Sequence, residues 1–285
     1  QALGWDSVPG SVRDARRRVL REAITVEAPS DPPLASGTPR VQVTDLTVTY
    51  GTTTAVAGVS LDLHGGEVTC LMGRNGAGKS SLLWAVQGGT ASTGTVTVDG
   101  LDPRTLKAPR ARSLVSLVPQ TASDLLYLPT VAAELAQADQ ETGSSPGTAA
   151  AVLARLGSDL DPDADPRDLS EGQRLSLVLA LQLAAEPGVV LLDEPTRGLD
   201  YAMKEHLAAI LADLAAGGRA VVVSTHDVEF AAAVSARTIV MAEGEVIADG
   251  PTRAVVTSSP TFAPQTAKVF APVPVLVPGE VGGAA

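Results

Sequence analysis

The sequence predicts an α/β fold whose core is a largely parallel β-sheet. Three short runs rich in Val and Leu, typical of strands buried on both faces, lie at residues 68–72, 189–194 and 220–225. Helical patterns lie between these runs, so strands and helices alternate along the chain. Apolar residues make up 45% of the 285 residues and aromatic residues only 3%, so Ala, Val and Leu must supply most of the core. That length fits one large α/β domain with appendages or two small domains.

Charge and cysteine content narrow the class of protein. The formal net charge is −11, which opposes non-specific attraction to DNA, RNA or anionic lipid, so we expect no nucleic-acid partner. The single cysteine, Cys70, lies in an apolar strand and is interpreted as a small buried hydrophobe, outside any disulfide framework. Polar residues interrupt the apolar stretch at 175–190, which is too short to span a bilayer. We expect a chain of cytoplasmic character that contacts a membrane only through a partner.

The first 39 residues are expected to precede the main domain. A short basic helix is predicted at residues 11–20, and residues 30–39 are rich in Pro, Ser and Gly, which is typical of a linker with little packing. The arginines of the helix are either a solvated face or the remnant of an upstream domain.

Strands with one buried face are predicted next, at residues 41–50 and 56–63, and later at 94–100. Tyr50 ends the first of them and is either an ordinary strand aromatic or a flat surface for a purine ring. A hairpin at residues 238–249 closes the pattern.

A glycine-rich loop lies between the apolar run at residues 68–72 and a helix that starts near Lys79. Its glycines let backbone N–H groups close around an anion, and the positive end of the helix dipole points to the same place. Lys79 then reaches the β and γ phosphates of a nucleotide, and the Ser80 hydroxyl holds Mg²⁺. The predicted phosphate site consists of Gly73, Arg74, Asn75, Gly76, Ala77, Gly78, Lys79, Ser80 and Ser81.

Gln120 follows a predicted strand at residues 113–119, at the strand end where ligand groups of open α/β sheets collect. The apolar loop at 124–131 is interpreted either as core packing or as a docking patch. Two short Ala-rich helices, at 131–137 and 148–156, indicate a small helical lobe laid on the sheet.

The segment Leu-Ser-Glu-Gly-Gln at residues 169–173 begins a long apolar helix. Ser170 and Gln173 have the spacing of a capping box, so a plain helix start is one interpretation. A serine hydroxyl, Gly172 and free N–H groups at a helix start also form a second anion site, which is the other.

Ionisable side chains stand at the ends of two buried runs. Burying a charge is costly unless it meets a cation or a hydrogen-bond partner, so Asp193 is a natural partner for the Mg²⁺ on Ser80. Glu194 is a candidate general base for a water. His226 ends the next run, at the same expected edge of the sheet, which favours a functional role. His64 and His206 lack that placement and are interpreted as surface residues.

In their order along the chain, these residues resemble the nucleotide-binding domain of ABC ATPases. The resemblance covers residues 40–250 and implies a P-loop NTPase (RecA-like) parallel-sheet core with an N-terminal antiparallel β-subdomain. It also implies a small helical signature subdomain at about residues 121–180. It rests on Tyr50, the glycine loop, Gln120, the segment 169–173, Asp193, Glu194, Gly198, Leu199, Asp200 and His226.

The resemblance implies a role for each of these side chains. Tyr50 stacks on the adenine of ATP, and Ser80 and Gln120 coordinate Mg²⁺ with Asp193 close by. Glu194 polarises the attacking water, and His226 senses the γ phosphate. Ser170, Gly172 and Gln173 serve the ATP of an opposite subunit, so that two ATPase domains sandwich two nucleotides.

Within this family, three segments resemble the ATPases of energy-coupling factor transporters: residues 169–173, 193–201 and 259–265. That likeness implies uptake of vitamins or transition-metal ions, membrane-embedded partner subunits and a place at the cytoplasmic face of the cell membrane. Residues 1–39 then suit the join after a first ATPase domain in the same polypeptide, and residues 251–285 form an irregular C-terminal tail.

Two other functions are alternatives to a transport ATPase. A soluble ABC ATPase of translation or DNA maintenance would carry a charged linker or a long coiled coil, and no heptad run lies between residues 81 and 169. A non-catalytic ATP-sensing subunit would not need Gln120, Glu194 and His226 together.

Overall fold

The computed structural model describes residues 3, 5, 9–27, 29–31 and 33–281. Over these residues the chain forms two β-sheets with helices packed around them, so the predicted α/β class is confirmed. The parts of the predicted N-terminal and C-terminal segments that fall on residues 1, 2, 4, 6–8, 28, 32 and 282–285 lie outside the described residues.

A six-stranded sheet forms the core. Its strands are β3 (Val68–Met72), β5 (Val115–Val118), β6 (Val189–Asp193), β7 (Ala220–Ser224), β8 (Arg237–Ala242) and β9 (Glu245–Pro251). They lie in the order β5-β6-β7-β3-β8-β9, and every neighbouring pair is parallel except β8 with β9. All residues of β3, β6 and β7 are buried, which explains why these strands are unbroken apolar runs in the sequence.

A smaller sheet is antiparallel, as the sequence predicts. It consists of β1 (Val41–Tyr50), β2 (Thr53–Leu63) and β4 (Thr93–Val98), in the order β2-β1-β4. Its buried valines face the core that also contains the first helix after the glycine loop.

Helices cover both sheets. Their bounds are α1 (Val12–Arg21), α2 (Lys79–Gln87), α3 (Ala108–Leu114), α4 (Val131–Thr142), α5 (Thr148–Arg155), α6 (Glu171–Leu183), α7 (Tyr201–Ala216), α8 (Val228–Val234), α9 (Thr252–Thr257) and α10 (Gln265–Phe270). We call α4, α5 and α6 the helical lobe; they contact one another and pack on the sheet through one continuous apolar core.

Several predicted boundaries were wrong; the strand predicted from residue 56, for example, begins at Thr53. The helix predicted to end at residue 137 continues to Thr142, where Gly143 adopts a left-handed conformation with φ of 69° and caps it. The strand predicted from residue 113 begins at Val115, because the short helix α3 occupies the residues before it.

The described parts of the N-terminal and C-terminal segments are more ordered than the sequence predicts. The predicted irregular tail contains α9 and α10, and α10 packs against α1. The residues predicted to form a linker with little packing make specific contacts: Asp31 pairs with Arg253 at 2.8 Å, and the Ala35 N–H donates to Glu67 at 3.1 Å. Arg253 also binds Glu280 at 2.6 Å. The domain limits at residues 39 and 250 stay predictions.

Within the described residues, we find no helix that is long and apolar enough to cross a membrane.

Candidate nucleotide-binding site

The glycine loop between β3 and α2 is folded as a tight cradle. Gly73 and Gly78 have φ angles of 151° and 100°, which residues with a side chain rarely adopt. A Cβ atom on Gly78 would lie 2.2 Å from the Ala55 carbonyl oxygen, and one on Gly73 would lie 2.4 Å from that of Met241. A Cβ on Gly76 would meet nothing within 4 Å, so this glycine faces open space. The loop therefore packs closely on its protein side and stays open on the other.

Lys79 begins α2 and is 6% exposed. Its Nζ donates to the Gly73 carbonyl at 2.9 Å and to the Arg74 carbonyl at 3.4 Å, and it lies 3.7 Å from Oε1 of Glu194. The ammonium group is thus folded back over the loop, in the place where phosphate oxygens would compete with those two carbonyls.

A cavity of about 610 Å³ opens beside Lys79. It is lined by Tyr50, Ala55, Asn75, Gly76, Ala77, Gly78, Lys79, Ser80, Ser81, Gln120, Glu194, Arg197 and His226. Most of the predicted residues are therefore brought together at one place. Gly73 and Arg74 do not line the cavity, and contribute the carbonyls that bind Lys79. Sequence reasoning missed Arg197 as a cavity residue, although it lies three positions after Glu194.

Glu194 and His226 form a pair at the carboxyl edge of the sheet. Glu194 follows β6 and has a φ of 50°, an uncommon conformation for a residue with a side chain and one that clusters at functional sites. Its N–H donates to the Ser224 carbonyl at 2.8 Å, which fixes the turn to the neighbouring strand β7. Its Oε2 lies 2.7 Å from Nδ1 of His226, so Nδ1 carries the proton when the carboxylate is ionised.

Asp193 lies beneath the cavity rather than in its lining. It is 2% exposed, and its Oδ1 atom is buried without a hydrogen-bond partner. A buried carboxylate oxygen without a donor fits a cation or a cation-bound water. Ser80 and Gln120 supply further oxygen atoms to the cavity, and oxygen donors are those that Mg²⁺ prefers.

In the described part of the chain there is no cluster of three or more His, Cys, Asp or Glu residues suited to a metal ion. A divalent cation here would therefore depend on the single carboxylate of Asp193 with the Ser80 hydroxyl and the Gln120 amide oxygen, together with phosphate oxygens of the nucleotide; few protein ligands plus phosphates are usual for Mg²⁺.

The segment at residues 169–173 forms a complete capping box at the start of α6. The Ser170 hydroxyl accepts from the Gln173 N–H at 3.3 Å, and the Gln173 side chain accepts from the Ser170 N–H at 2.9 Å. Ser170, Gly172 and Gln173 are absent from the lining of the Lys79 cavity. Glu171 is paired with Arg174 at 2.9 Å, which partly neutralises the carboxylate at this helix start.

His64 and His206, which the sequence analysis interprets as surface residues, are both half-buried. His206 is half-buried rather than a plain surface residue, because its Nε2 lies 2.7 Å from the Leu156 carbonyl at the end of α5. His64 is also half-buried, and its Nδ1 atom has no hydrogen-bond partner in the described structure.

Comparisons with known proteins agree with this geometry. A family model described as ABC transporter matches residues 56–197. A protein of Streptomyces coelicolor, named as a putative ABC transporter ATP-binding protein, is 45% identical over an alignment of 303 positions, which covers 94% of this chain and 54% of the relative's own length. The cobalt import ATP-binding protein CbiO of Rhodobacter capsulatus is 38% identical over 237 residues that cover 79% of this chain and 84% of its own length.

Solved structures show the same fold. The cbiO1 protein of Clostridium perfringens, part of the ABC transporter complex cbiONQ, superimposes with a TM-score of 0.70 at 25% identity, covering 82% of this chain and 96% of that chain. An ATP-binding cassette in a dimeric post-hydrolysis state, bound to ADP and Pi, gives a TM-score of 0.67 at 26% identity, covering 74% and 98%.

The chain spans about half the length of three curated relatives that it matches, at 54%, 54% and 49% of their lengths. It matches other relatives, CbiO among them, over most of their own length. CbiO is 38% identical and is matched over 84% of its own length, and the family model spans the cradle, the helical lobe and the strand-end acids. The chain therefore belongs to the family of ABC transporter ATP-binding proteins.

Proposed function

We propose that this chain binds ATP and hydrolyses it in the cavity beside Lys79. The observation that carries the proposal is the convergence of three groups on that cavity: the Lys79 ammonium, the Glu194 carboxylate and the His226 imidazole. The distances are 3.7 Å from Lys79 to Glu194 and 2.7 Å from Glu194 to His226. In phosphoryl transfer to water, a cation neutralises the phosphate charge and a carboxylate orients the attacking water. The Lys79 ammonium and the Glu194 carboxylate, held by His226, are placed for these two tasks.

Each residue has a task that its position supports. The backbone N–H groups of the loop and the Lys79 ammonium bind the phosphates, the ammonium leaving the carbonyls of Gly73 and Arg74 for phosphate oxygens. Tyr50, which is 52% exposed at the cavity, offers its ring face to adenine. Glu194 orients the attacking water and accepts its proton, and His226 holds Glu194 and contacts the γ phosphate.

Ser80, Gln120 and Asp193 would hold Mg²⁺, with Asp193 contributing through its unpartnered Oδ1. When bound, the cation supplies neutralisation of the phosphate charge. The chain's own contribution is mainly to position the phosphates and the water, because phosphoryl transfer requires little covalent chemistry from the protein.

A second ATPase domain is the proposed partner across the nucleotide, either another copy or the other half of a tandem polypeptide. Ser170, Gly172 and Gln173 stand outside the Lys79 cavity, and Ser170 and Gln173 are exposed at the start of α6, free to meet a nucleotide bound by a neighbour. The dimeric ADP-bound and Pi-bound relative supports this pairing.

A membrane-embedded subunit is the proposed partner on another face. A groove of about 570 Å³ lies between the helical lobe and the sheet, lined in part by Trp84, Leu125, Tyr127 and Glu134. The Tyr127 side chain is 75% exposed in the loop that links Gln120 to the lobe. An exposed aromatic at a groove lined by both apolar and polar side chains is typical of a docking surface, so nucleotide-dependent movement of Gln120 would reach the partner through this loop.

The energy-coupling factor class, with uptake of a vitamin or a transition-metal ion, is the finer proposal. Its support is the likeness to CbiO of Rhodobacter capsulatus, a cobalt import protein by name. On this proposal the chain acts at the cytoplasmic face of the cell membrane, residues 40–250 form the ATPase domain, and residues 1–39 and 251–285 flank it.

Two measurements test these proposals. Phosphate release from MgATP by the purified chain tests hydrolysis, and release no faster than in EDTA would contradict it. For the docking face, Tyr127→Glu should move the chain from membranes to the soluble fraction of its host and leave ATP affinity unchanged. Tyr201→Glu, at a comparably exposed tyrosine on α7, is the control and should stay with the membranes.

A further inference from the structure

Two loops at the carboxyl edge of the sheet are fastened to each other. One follows β6 and runs from Glu194 to α7; the other follows β7 and contains His226. Besides the contacts of Glu194 with Ser224 and His226, the hydroxyls of Thr196 and Thr225 lie 3.4 Å apart and are buried. A further hydrogen bond joins the helices that follow the two loops, α7 and α8: Nζ of Lys204, in the first turn of α7, donates to Oδ2 of Asp227, the N-cap residue of α8, at 2.6 Å.

Asp227 uses both of its carboxylate oxygens. Its Oδ1 accepts from the N–H groups of Glu229 and Phe230, each at 3.1 Å, and so caps α8, while Oδ2 accepts from Lys204. Burial raises the pKa of Asp227. The hydrogen bonds from Lys204 and from the two backbone N–H groups lower the pKa by more than burial raises it, so the pKa lies below its ordinary value. The side chain is therefore a charged anchor with a defined orientation.

His226 depends on this anchor because little else holds it. Its side chain is 68% exposed, so packing does not fix the imidazole. The ring is placed by its contact with Glu194 and by the backbone of the residues on either side. That backbone is fixed on one side by Thr225, whose hydroxyl accepts from the Asp227 N–H at 3.0 Å, and on the other by the Asp227 carboxylate.

We propose that Lys204 is a positioning residue for ATP hydrolysis: by holding Asp227 it keeps the His226 imidazole against Glu194. The inference rests on the hydrolysis proposed above. Lys204 does not line the ATP cavity, so it acts through Asp227 and not on the nucleotide. It also links the first turn of α7, where Asp200 caps the Met203 N–H, to the loop of His226, so a movement of one loop is transmitted to the other.

Three variants test the proposal. Lys204→Met removes the charge and keeps most of the length; Lys204→Arg keeps the charge; Asp227→Asn keeps an Oδ1 acceptor for the cap. We expect kcat to fall about 10-fold to 100-fold in Lys204→Met, because a small misplacement of a catalytic group can cost up to ~10²-fold. KM and the affinity for labelled ATP should stay within about twofold, since the cradle is untouched, and Lys204→Arg should restore most of kcat. Combining Lys204→Met with Asp227→Asn should cost no more than either change alone, as two ends of one contact do.

Arg104→Met is the matched control. It breaks an ion pair of similar length and exposure, Arg104 with Asp102 at 2.7 Å, away from the cavity, and should leave kcat unchanged. The His226 imidazole proton resonance gives a readout that needs no turnover: among the three histidines of the chain, the His226 resonance should shift in Lys204→Met and return to its wild-type position in Lys204→Arg. An unshifted resonance, a wild-type kcat, or a loss in Lys204→Arg equal to that in Lys204→Met would overturn the proposal. A shifted resonance in a chain that hydrolyses no ATP would instead uphold the positioning and refute the proposed hydrolysis.

Discussion

Nδ1 of His226 lies 2.7 Å from Oε2 of Glu194, and both residues stand at the carboxyl ends of neighbouring parallel strands. The two side chains are 32 residues apart in the sequence, and the parallel pairing of β6 with β7 brings them to the same edge of the sheet. The contact makes Glu194 the focus of the site, because the same carboxylate lies 3.7 Å from the Lys79 ammonium.

Glu194→Gln should reduce ATP turnover by about 10²-fold or more, since the amide cannot accept a proton from water. ATP binding should persist, because the cradle is unchanged. Phosphate release and labelled-ATP titration measure the two quantities. Glu186→Gln is the control: Glu186 is exposed and has a similar φ of 49°, yet lies before β6, away from the cavity. Normal turnover in Glu194→Gln would show that another group activates the water.

Lys79→Ala should weaken ATP binding at least about tenfold, because a charge-assisted bond to phosphate is lost from a buried position. Equilibrium titration with labelled ATP measures the effect. Lys107→Ala, at an exposed lysine before α3, should bind ATP as the unaltered chain does. Equal affinities for the two variants would mean that the loop is not a phosphate cradle.

Cys70 should resist alkylation in the folded protein. Burial raises the pKa of its thiol to about 12, so hardly any thiolate exists near pH 8, and the residue is inaccessible in β3. Iodoacetamide followed by mass spectrometry should show an unmodified native chain and a fully modified chain in denaturant. Because the chain has one cysteine, the signal has a single source. Rapid labelling of the native chain would contradict the burial of β3.

Arg253→Met should loosen the contact between the N-terminal and C-terminal segments, because Arg253 binds both Asp31 and Glu280. Burial raises the pKa of Glu280, but the bond from Arg253 and the Leu276 N–H outweigh it, so the pKa lies below its ordinary value. The stabilisation is therefore present above the unfolded-state pKa of about 4.3 and is lost as pH falls through the lower folded-state value.

Hydrogen exchange of α1 and α10 measures this contact. We expect protection at pH 7 in the unaltered chain, and faster exchange in Arg253→Met at pH 7 and in the unaltered chain under acid. Lys268→Met, on α10 itself, is the control and should keep the protection. Equal exchange in all three proteins would show that Arg253 does not hold the segments.

The features that sequence predicted best are local or follow from strand polarity. The capping box of Ser170 and Gln173 forms because its partners are three residues apart, and the loop before Lys79 needs its glycines whatever surrounds it. Glu194 and His226 could be placed at one edge because parallel strands end together. Two contacts depend on how helices pack, and no local sequence pattern predicts them: the bond between Lys204 and Asp227, and the one between His206 and the Leu156 carbonyl.

The short helices show the same limit. A helix of six or seven residues gains little from its own propensity, so α3 and α10 exist through the elements they contact. The residues around Pro264 are predicted to belong to an irregular tail, and the contact of α10 with α1 reverses that expectation.

The order of the sheet has a further consequence. The groove that holds Tyr127 borders the edge strand β5, whereas the phosphate loop follows the inner strand β3, with β6 and β7 between them. The nucleotide cavity and the groove that holds Tyr127 share no lining residue, so the two open at separate places on the protein. The two strands in between end just before Glu194 and His226, so on the proposed function a change at the nucleotide cavity has only two neighbouring strands to cross before it reaches the groove.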